Sequence, residues 1–225
     1  MKLEAVTVCI DFSKQLEKCI SNKYLFDRWV IATHETDHDT IQLCKKHNIE
    51  YICSNRVFDK AQFAKGRAIN DALKICDKAD WLVHLDADVK LPSNFKQIAQ
   101  KYCDNKSALY GMPRQTHNKV LSTYFHKKIT NKKTQTTNKM KIGNLGAIGY
   151  FQMWHSSNKR KYVENSKTGK NDDTEFMLSF KPTKPIRSFK EHWLTLPISC
   201  TDTSGFQGHF RKHYIGIRNL KNLSK

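Results

Sequence analysis

Apolar and polar positions fall into alternating blocks along the first hundred residues of this 225-residue chain. Residues 6–12 (VTVCIDF) form a β-rich run bounded by Asp11 and Ser13 and read as a first buried strand, with WVIAT at 29–33 and EYIC at 50–53 as the second and third. Between these, residues 40–47 (TIQLCKKH) have the spacing of a short helix, with Ile41 and Cys44 on one face. Residues 63–76 carry Ala64, Ala68, Ala72 and Ile75 at helical spacing and lead into a fourth strand over 81–85, WLVHL. Strands alternating with helices predict an α/β fold: a mainly parallel, twisted, Rossmann-like sheet flanked by helices on both faces.

After the fourth strand come Asp86-Ala87-Asp88 and VKLP, and then a helix over 93–102 with Ser93 placed to cap it. The second half of the chain is less regular. Residues 109–112 read as another strand, and 114–141 as a long loop or hairpin, holding eight basic residues and no acid. Residues 143–154 (GNLGAIGYFQMW) combine glycines with aromatics, 158–170 form a second basic loop, and NDDTEF at 171–176 opens a helix. There is no internal repeat.

The length suits one well-buried α/β core, so the chain is expected to be a single domain over 1–225, with an ordered half (1–113) and an irregular half (114–225). Four Trp, eight Tyr and twelve Phe exclude a disordered composition. The N-terminal residues lack the apolar core of a signal peptide, and no run approaches the roughly 18 apolar residues of a membrane span. The seven cysteines are odd in number and contain no Cys-x-x-Cys pair, which argues against a zinc ribbon or disulfide framework and for a reducing, cytoplasmic setting. Net charge is +18, and its distribution is uneven. Residues 1–113 hold 17 Lys and Arg against 15 Asp and Glu, a net +2, whereas 114–225 hold 22 against 6, a net +16.

Two carboxylates one residue apart, just past the end of a buried strand, are placed to converge on a hard cation that leaves coordination sites for diphosphate oxygens. The competing reading of Asp86 and Asp88 is a surface residue and a turn cap. The context decides between them. Lys65-Gly66-Arg67-Ala68-Ile69-Asn70, Ala72-Leu73, Asp80 through Val89 and Leu91-Pro92 together resemble the core of family-2-like glycosyltransferases of the GT-A fold, over about residues 62–95. There a Lys/Arg-Gly-x-Ala-x-Asn helix precedes an apolar strand ending in an Asp-x-Asp (DXD) motif. This sequence departs from that pattern at its start, where Ile10-Asp11-Phe12-Ser13 replaces the common Pro-Thr/Ser-Tyr-Asn.

The resemblance implies a metal-dependent transferase using a nucleoside-diphosphate sugar, most simply a UDP-sugar, with Mn²⁺ or Mg²⁺. By that resemblance Asp86 reaches the ribose or the metal, and Asp88 the metal and diphosphate. Lys65 and Arg67 approach the phosphates, unless they are solvated helix-face charges, and Asp11 and Asp37 are weaker nucleoside contacts. Asp173, 85 residues after Asp88, corresponds to the family's general base, which takes the acceptor proton in an inverting transfer. Asp172 and Glu175 compete for that role, and an N-cap is the structural alternative. Gly149 to His155 resembles the segment beside the donor sugar, with Gly149 offering close backbone approach and Gln152 amide hydrogen bonds; it reads equally as a core strand. His192 lies where family members supply a late histidine to the metal, with His209 and His213 as substitutes and ordinary packing as the alternative.

The basic second half is also the acceptor side of this fold. Its charge points to a polyanionic acceptor, the concrete version being a hydroxymethylated pyrimidine in DNA, as in a phage-type modifying enzyme working in host cytoplasm. A cell-surface glycan or membrane-linked acceptor is the alternative, and a solvated basic face or biased composition the bland one. Two further classes are a non-catalytic nucleic-acid-binding module on this scaffold and a nucleotidyl transferase. The latter lacks a Gly-rich phosphate loop after the first strand.

Overall fold

The computed structural model describes residues 1–59, 63–111, 149–164 and 172–180, together with the backbone of three short strands at 114–116, 186–188 and 198–200. The first half follows the expected β-then-α rhythm: β1 Leu3–Val8, α1 Ser13–Lys18, β2 Arg28–Thr33, α2 His38–Lys46, β3 Glu50–Cys53, α3 Lys65–Leu73 and β4 Trp81–Leu85. It continues through β5 Val89–Lys90, α4 Phe95–Tyr102 and β6 Leu109–Gly111. Then come β7 Arg114–Thr116, β8 Phe151–His155, α5 Asp172–Leu178, β9 Ile186–Ser188 and β10 Ile198–Cys200. No helix among the described residues is long and apolar enough to cross a membrane.

The main sheet has seven strands in the order β3-β2-β1-β4-β8-β6-β9. β1 runs parallel to both β2 and β4, and β2 parallel to β3, whereas β8 lies antiparallel between β4 and β6. Strands β8 and β9 of the second half are thus hydrogen-bonded into the sheet begun by the first. A second sheet of order β5-β10-β7 pairs the two residues that follow Asp88 with strands from beyond residue 113.

Alternation along β1 sends Leu3 and Ala5 to one face, where they pack with Leu16 of α1, Leu43 of α2 and Phe95 and Ile98 of α4. Val6 and Val8 point to the other face, with Ala68, Ile69 and Ala72 of α3 and Phe176 and Met177 of α5. Both faces are therefore covered, which is what near-continuous apolar strands require.

Several expected boundaries shift. β1 begins at Leu3 and ends at Val8, so it starts three residues earlier than expected and stops short of residue 12. Glu4, which breaks the apolar run, is accommodated beside Lys2 (3.8 Å) and opposite Arg28 in the β1/β2 register. Residues 9–12 instead turn into α1, with Asp11 at φ 55°. In α2 the deeply buried positions are Thr40, Leu43 and Cys44, and Ile41 is only partly covered. Ser93 is not a cap. α4 begins after Asn94, whose side chain makes no capping bond either, and the Phe95 amide bonds to the Pro92 carbonyl at 2.9 Å. The helix α1 and a 3₁₀ segment at Ile20–Leu25 went unpredicted, because each buries a single side chain and so carries no periodic signal.

Candidate functional site

The chain ends of β1 to β4, the start of antiparallel β8, and the N-termini of α3 and α5 all meet at one edge of the sheet. This is the carboxyl edge, where open α/β sheets bind their ligands. β4 leaves the sheet at Leu85, and its next residue opens a turn held by two main-chain bonds. Asp86 N–H donates to Tyr150 O at 3.0 Å, and Val89 N–H donates to Asp86 O at 3.1 Å. β5 then pins the far side of the turn, so Asp86 and Asp88 are anchored from both ends.

Lys65, the first residue of α3, directs its ammonium onto Asp86 Oδ1 in a direct ion pair. The lysine side chain is 19% exposed and the aspartate 34%. Burial opposes the lysine charge, but Asp86 and, more remotely, Asp173 and Asp172 outweigh it and hold the ammonium above its ordinary pKa. One cation thus stands among carboxylates that are far apart in sequence. His84, fully buried on the same face of β4, lies 3.8 Å from Asp86 Oδ1. Burial first, and the Lys65 charge second, keep its pKa well below the usual histidine value, so the ring is neutral.

The helix α3 explains the Lys-Gly-x-x-x-Asn spacing. Its N-cap residue is Ala64, which has no side-chain acceptor. An unpaired first-turn donor is met from elsewhere: Gly66 N–H donates to Asp172 Oδ2 at 2.9 Å. A β-carbon on Gly66 would stand 2.2 Å from Val163 O, so only glycine lets α3 approach the 162–164 segment. Asn70 grips the same segment, donating from Nδ2 to Tyr162 O and accepting Tyr162 N–H at Oδ1, each at 2.9 Å.

α5 presents its first two residues differently. Asp172 is 2% exposed and engaged with Gly66, whereas Asp173 is partly exposed and accepts Gly149 N–H at Oδ2, at 2.7 Å. Gly149 is required there, since a β-carbon would fall 2.2 Å from that oxygen. The dipeptide 149–150 therefore touches both key residues, the Asp86 main-chain N–H through the Tyr150 carbonyl and the Asp173 carboxylate through the Gly149 amide. Glu175 is exposed on the same helical turn.

Other expected ligands are engaged by the protein itself. The Arg67 guanidinium donates to the main-chain carbonyls of Glu164 (2.8 Å) and Arg56 (3.0 Å), and also to that of Asp59, so it ties the α3 start to two loops rather than facing the Asp86 turn. Asp37, 3% exposed, caps α2 through Thr40 N–H (3.1 Å) and accepts Asp11 N–H (2.9 Å). Gln152 pairs across strands with His84 and is fully buried; its amide donates to the Asp173 carbonyl at 3.0 Å and accepts from the Tyr162 hydroxyl at 2.5 Å. β8 is thus a core strand, and it is Gly149, just before the strand, that bonds to the Asp173 carboxylate. His192, His209 and His213 lie outside the described residues, as does nearly all of the 114–141 segment. Sequence reasoning gave no role to Tyr162, Asn70 or His84; Tyr162 is a lone aromatic in a basic loop and carries no pattern that would have marked it.

Among the described residues no group of three or more His, Cys, Asp or Glu side chains forms a closed metal cage. Asp86 and Asp88, both part-exposed at a fixed turn, suit instead a hard divalent cation that completes its shell with water and phosphate oxygens. The site residues therefore fit Mn²⁺ or Mg²⁺.

No protein-family model and no curated protein sequence matches the chain. Solved structures do. The chain is similar to mannosyltransferase PcManGT from Pyrobaculum calidifontis in complex with GDP-Man and Mn²⁺, at a TM-score of 0.56 and 12% identity, over 92% of this chain and 59% of that one. It is also similar to glucosyl-3-phosphoglycerate synthase from Mycobacterium tuberculosis with Mn²⁺, UDP and glucosyl-3-phosphoglycerate, at a TM-score of 0.48 and 12% identity, over 68% of this chain and 56% of that one. A third is mannosyl-3-phosphoglycerate synthase from Rubrobacter xylanophilus, at 0.46 and 14%, over 69% and 54%. The chain spans under three fifths of the length of each of these structures. At such identities the likeness is one of fold, and the fold is the GT-A-type, Rossmann-like arrangement expected from the sequence.

Proposed function

We propose that this chain is a metal-dependent glycosyltransferase that moves a sugar from a nucleoside-diphosphate sugar, most simply a UDP-sugar, to an acceptor hydroxyl with inversion. The observation that carries the reading is the convergence of Asp86, Lys65 and Asp173 at one sheet edge, from three elements spread over more than a hundred residues. The similar mannosyltransferase structure in complex with GDP-Man and Mn²⁺ supports the donor class.

In this reading Asp86 and Asp88 hold Mn²⁺ or Mg²⁺, which when bound supplies Lewis-acid stabilisation to the departing diphosphate. Lys65 adds a fixed positive charge on the same side, already placed and requiring no reorganisation as negative charge develops. Asp173 takes the acceptor hydroxyl proton, because its carboxylate is part-exposed and fixed by a single amide, while Asp172 is buried and engaged. Asp172 is then a structural residue. The donor site and the base then lie on either side of the 149–150 dipeptide.

For the acceptor we propose a polyanion, with a hydroxymethylated pyrimidine in DNA as the specific candidate, on the strength of the net +16 carried by residues 114–225. A membrane-linked or cell-surface glycan is the competing acceptor. The test is a panel of UDP- and GDP-sugars with Mn²⁺ or Mg²⁺, reading nucleoside diphosphate release with and without hydroxymethylated DNA or glycan acceptors. Release stimulated by the modified DNA and suppressed by moderate salt is expected; release stimulated only by glycan or lipid-linked acceptors selects the competing one. No release with any donor overturns the enzymatic reading and leaves a nucleic-acid-binding module on a GT-A scaffold.

A further inference from the structure

Tyr162 is buried and held at every point of its geometry. Its main-chain N–H and C=O are both bonded to the Asn70 amide of α3, each at 2.9 Å. Its ring lies flat on Phe176 of α5, with centroids 4.0 Å apart and planes within 3°, and the His84 ring meets it edge-on at 5.5 Å. Its hydroxyl donates to Gln152 Oε1 at 2.5 Å, and Gln152 Nε2 donates in turn to the main-chain carbonyl of Asp173 at 3.0 Å. One residue therefore touches all four elements that carry the candidate site, α3 through its main chain and β4, β8 and α5 through its side chain.

The direction of this relay matters. A glutamine amide has a donor end and an acceptor end of nearly equal shape, so it turns over easily unless its partners distinguish them. The Asp173 carbonyl can only accept, so it sets the amide with its NH₂ toward α5 and its oxygen toward the phenol, and among the described residues the Tyr162 hydroxyl supplies the donor that this oxygen needs. Turned over, the amide would set oxygen against oxygen at α5's first turn. The phenol is suited to a permanent donor role: burial, reinforced by the negative charges of Asp173, Asp86 and Asp172, keeps its pKa well above that of an exposed tyrosine.

We infer that Tyr162, acting through Gln152, is a positioning residue that fixes where the Asp173 carboxylate stands relative to Asp86. The inference rests on Asp173 being the base of the proposed reaction for its catalytic consequence, but its structural content does not depend on that. Asp173 has two grips, Gln152 on its carbonyl and Gly149 N–H on its carboxylate, and loosening the first lets the second lengthen. A displacement of about 1 Å at a reacting group is worth up to ~10²-fold in rate.

The test is Tyr162→Phe, which keeps the ring on Phe176 and removes only the hydroxyl, alongside Gln152→Met and the double variant. Two readouts are needed. The first is hydrogen exchange of the Gly149 amide, whose acceptor is the Asp173 carboxylate: its protection is expected to fall about tenfold in Tyr162→Phe, with other sheet amides unchanged. The second is steady-state transfer: kcat falls about tenfold with the donor KM within twofold, and the double variant is no worse than either single one. Unchanged Gly149 protection overturns the inference whatever the activity. A loss of protection spread across the whole sheet also overturns it, since Tyr162 is then merely a packing residue. If Gly149 protection falls locally but the wild-type protein transfers no sugar, the positioning stands and the proposed function is what fails.

Discussion

Gly66 and Asp172, separated by 106 residues, share a 2.9 Å hydrogen bond from the amide of one to the carboxylate of the other. It joins the first turn of α3 to the first residue of α5, and so makes an element of the irregular half complete a helix of the ordered half. The adjacent acids of α5 consequently differ in kind: Asp172 supplies the capping oxygen that Ala64 cannot, and Asp173 faces the crevice.

Separating those roles is the first prediction. Asp172→Ala removes a buried cap and is expected to destabilise the fold by about 1–2 kcal/mol, seen as a lower urea midpoint at unchanged slope. Asp172→Asn, which keeps an acceptor oxygen, is expected to recover most of that. Asp173→Asn is expected to unfold at nearly the wild-type midpoint and to lose transfer by at least about 10²-fold. Equal stability loss in Asp172→Ala and Asp173→Asn, or full transfer in Asp173→Asn, contradicts the division.

Gly149→Ala is expected to act at a distance of one hydrogen bond. The added β-carbon would meet Asp173 Oδ2 at 2.2 Å and its Cγ at 2.5 Å, closer than van der Waals contact allows, so the carboxylate must leave its seat. Transfer should fall by about 10²-fold while the Kd for nucleoside diphosphate stays within about twofold, because Asp86 is held by the neighbouring Tyr150 carbonyl instead. Titration calorimetry beside turnover measurements decides it.

What could be read from the chain, and what could not, follows from the range of the interactions. EYIC and WLVHL gave β3 and β4 to the residue, because each is a short β-rich run bounded by polar neighbours. The acidic turn and the KGRAIN helix were legible as a local pattern. The partners of that pattern were not. Gly66 looks like a helix breaker until Val163 is found against it, and Arg67 looks like a phosphate ligand until its guanidinium is found on main-chain carbonyls. Gln152 looks like a ligand of the donor sugar until Tyr162 and the Asp173 carbonyl are found on its amide. Contacts that join separate elements, whether 10 or 97 residues apart, leave no periodicity in one sequence.

Alkaline pH is expected to destabilise the protein through its buried thiols. Burial pushes Cys44 and Cys76 up to about 12, from an ordinary value of 9. Above pH 9 the unfolded chain releases these protons and the folded chain keeps them, so the unfolded state binds fewer protons and unfolding free energy falls as pH rises. The stability these groups contribute is complete below pH 9 and declines between about 9 and 12, at up to ~1.4 kcal/mol per pH unit for each thiol. Denaturation curves from pH 8 to 10.5 should show this slope in the wild-type protein and a shallower one in a Cys44→Ala, Cys76→Ala double variant. Parallel slopes would assign the effect to other groups.

Lys65 gives the last prediction, because its ammonium occupies Asp86, a carboxylate proposed for the metal. Without donor, the lysine and a divalent cation compete for the same oxygens; with donor, the diphosphate gives the lysine an alternative anionic partner. Lys65→Met should therefore move two affinities in opposite directions. Mn²⁺ binding to the donor-free protein should tighten about tenfold, close to 1.4 kcal/mol, while nucleoside diphosphate binding in saturating Mn²⁺ weakens by about as much. Lys65→Arg should weaken metal binding no less than lysine does, because its charge is retained. Asp86→Ala and Asp88→Ala provide the reference, since each should lose most Mn²⁺ affinity whether or not donor is present. Electron paramagnetic resonance of free Mn²⁺ and calorimetry of the diphosphate read the two affinities separately. If both weaken together in Lys65→Met, the lysine organises the acidic turn rather than competing with the metal for it.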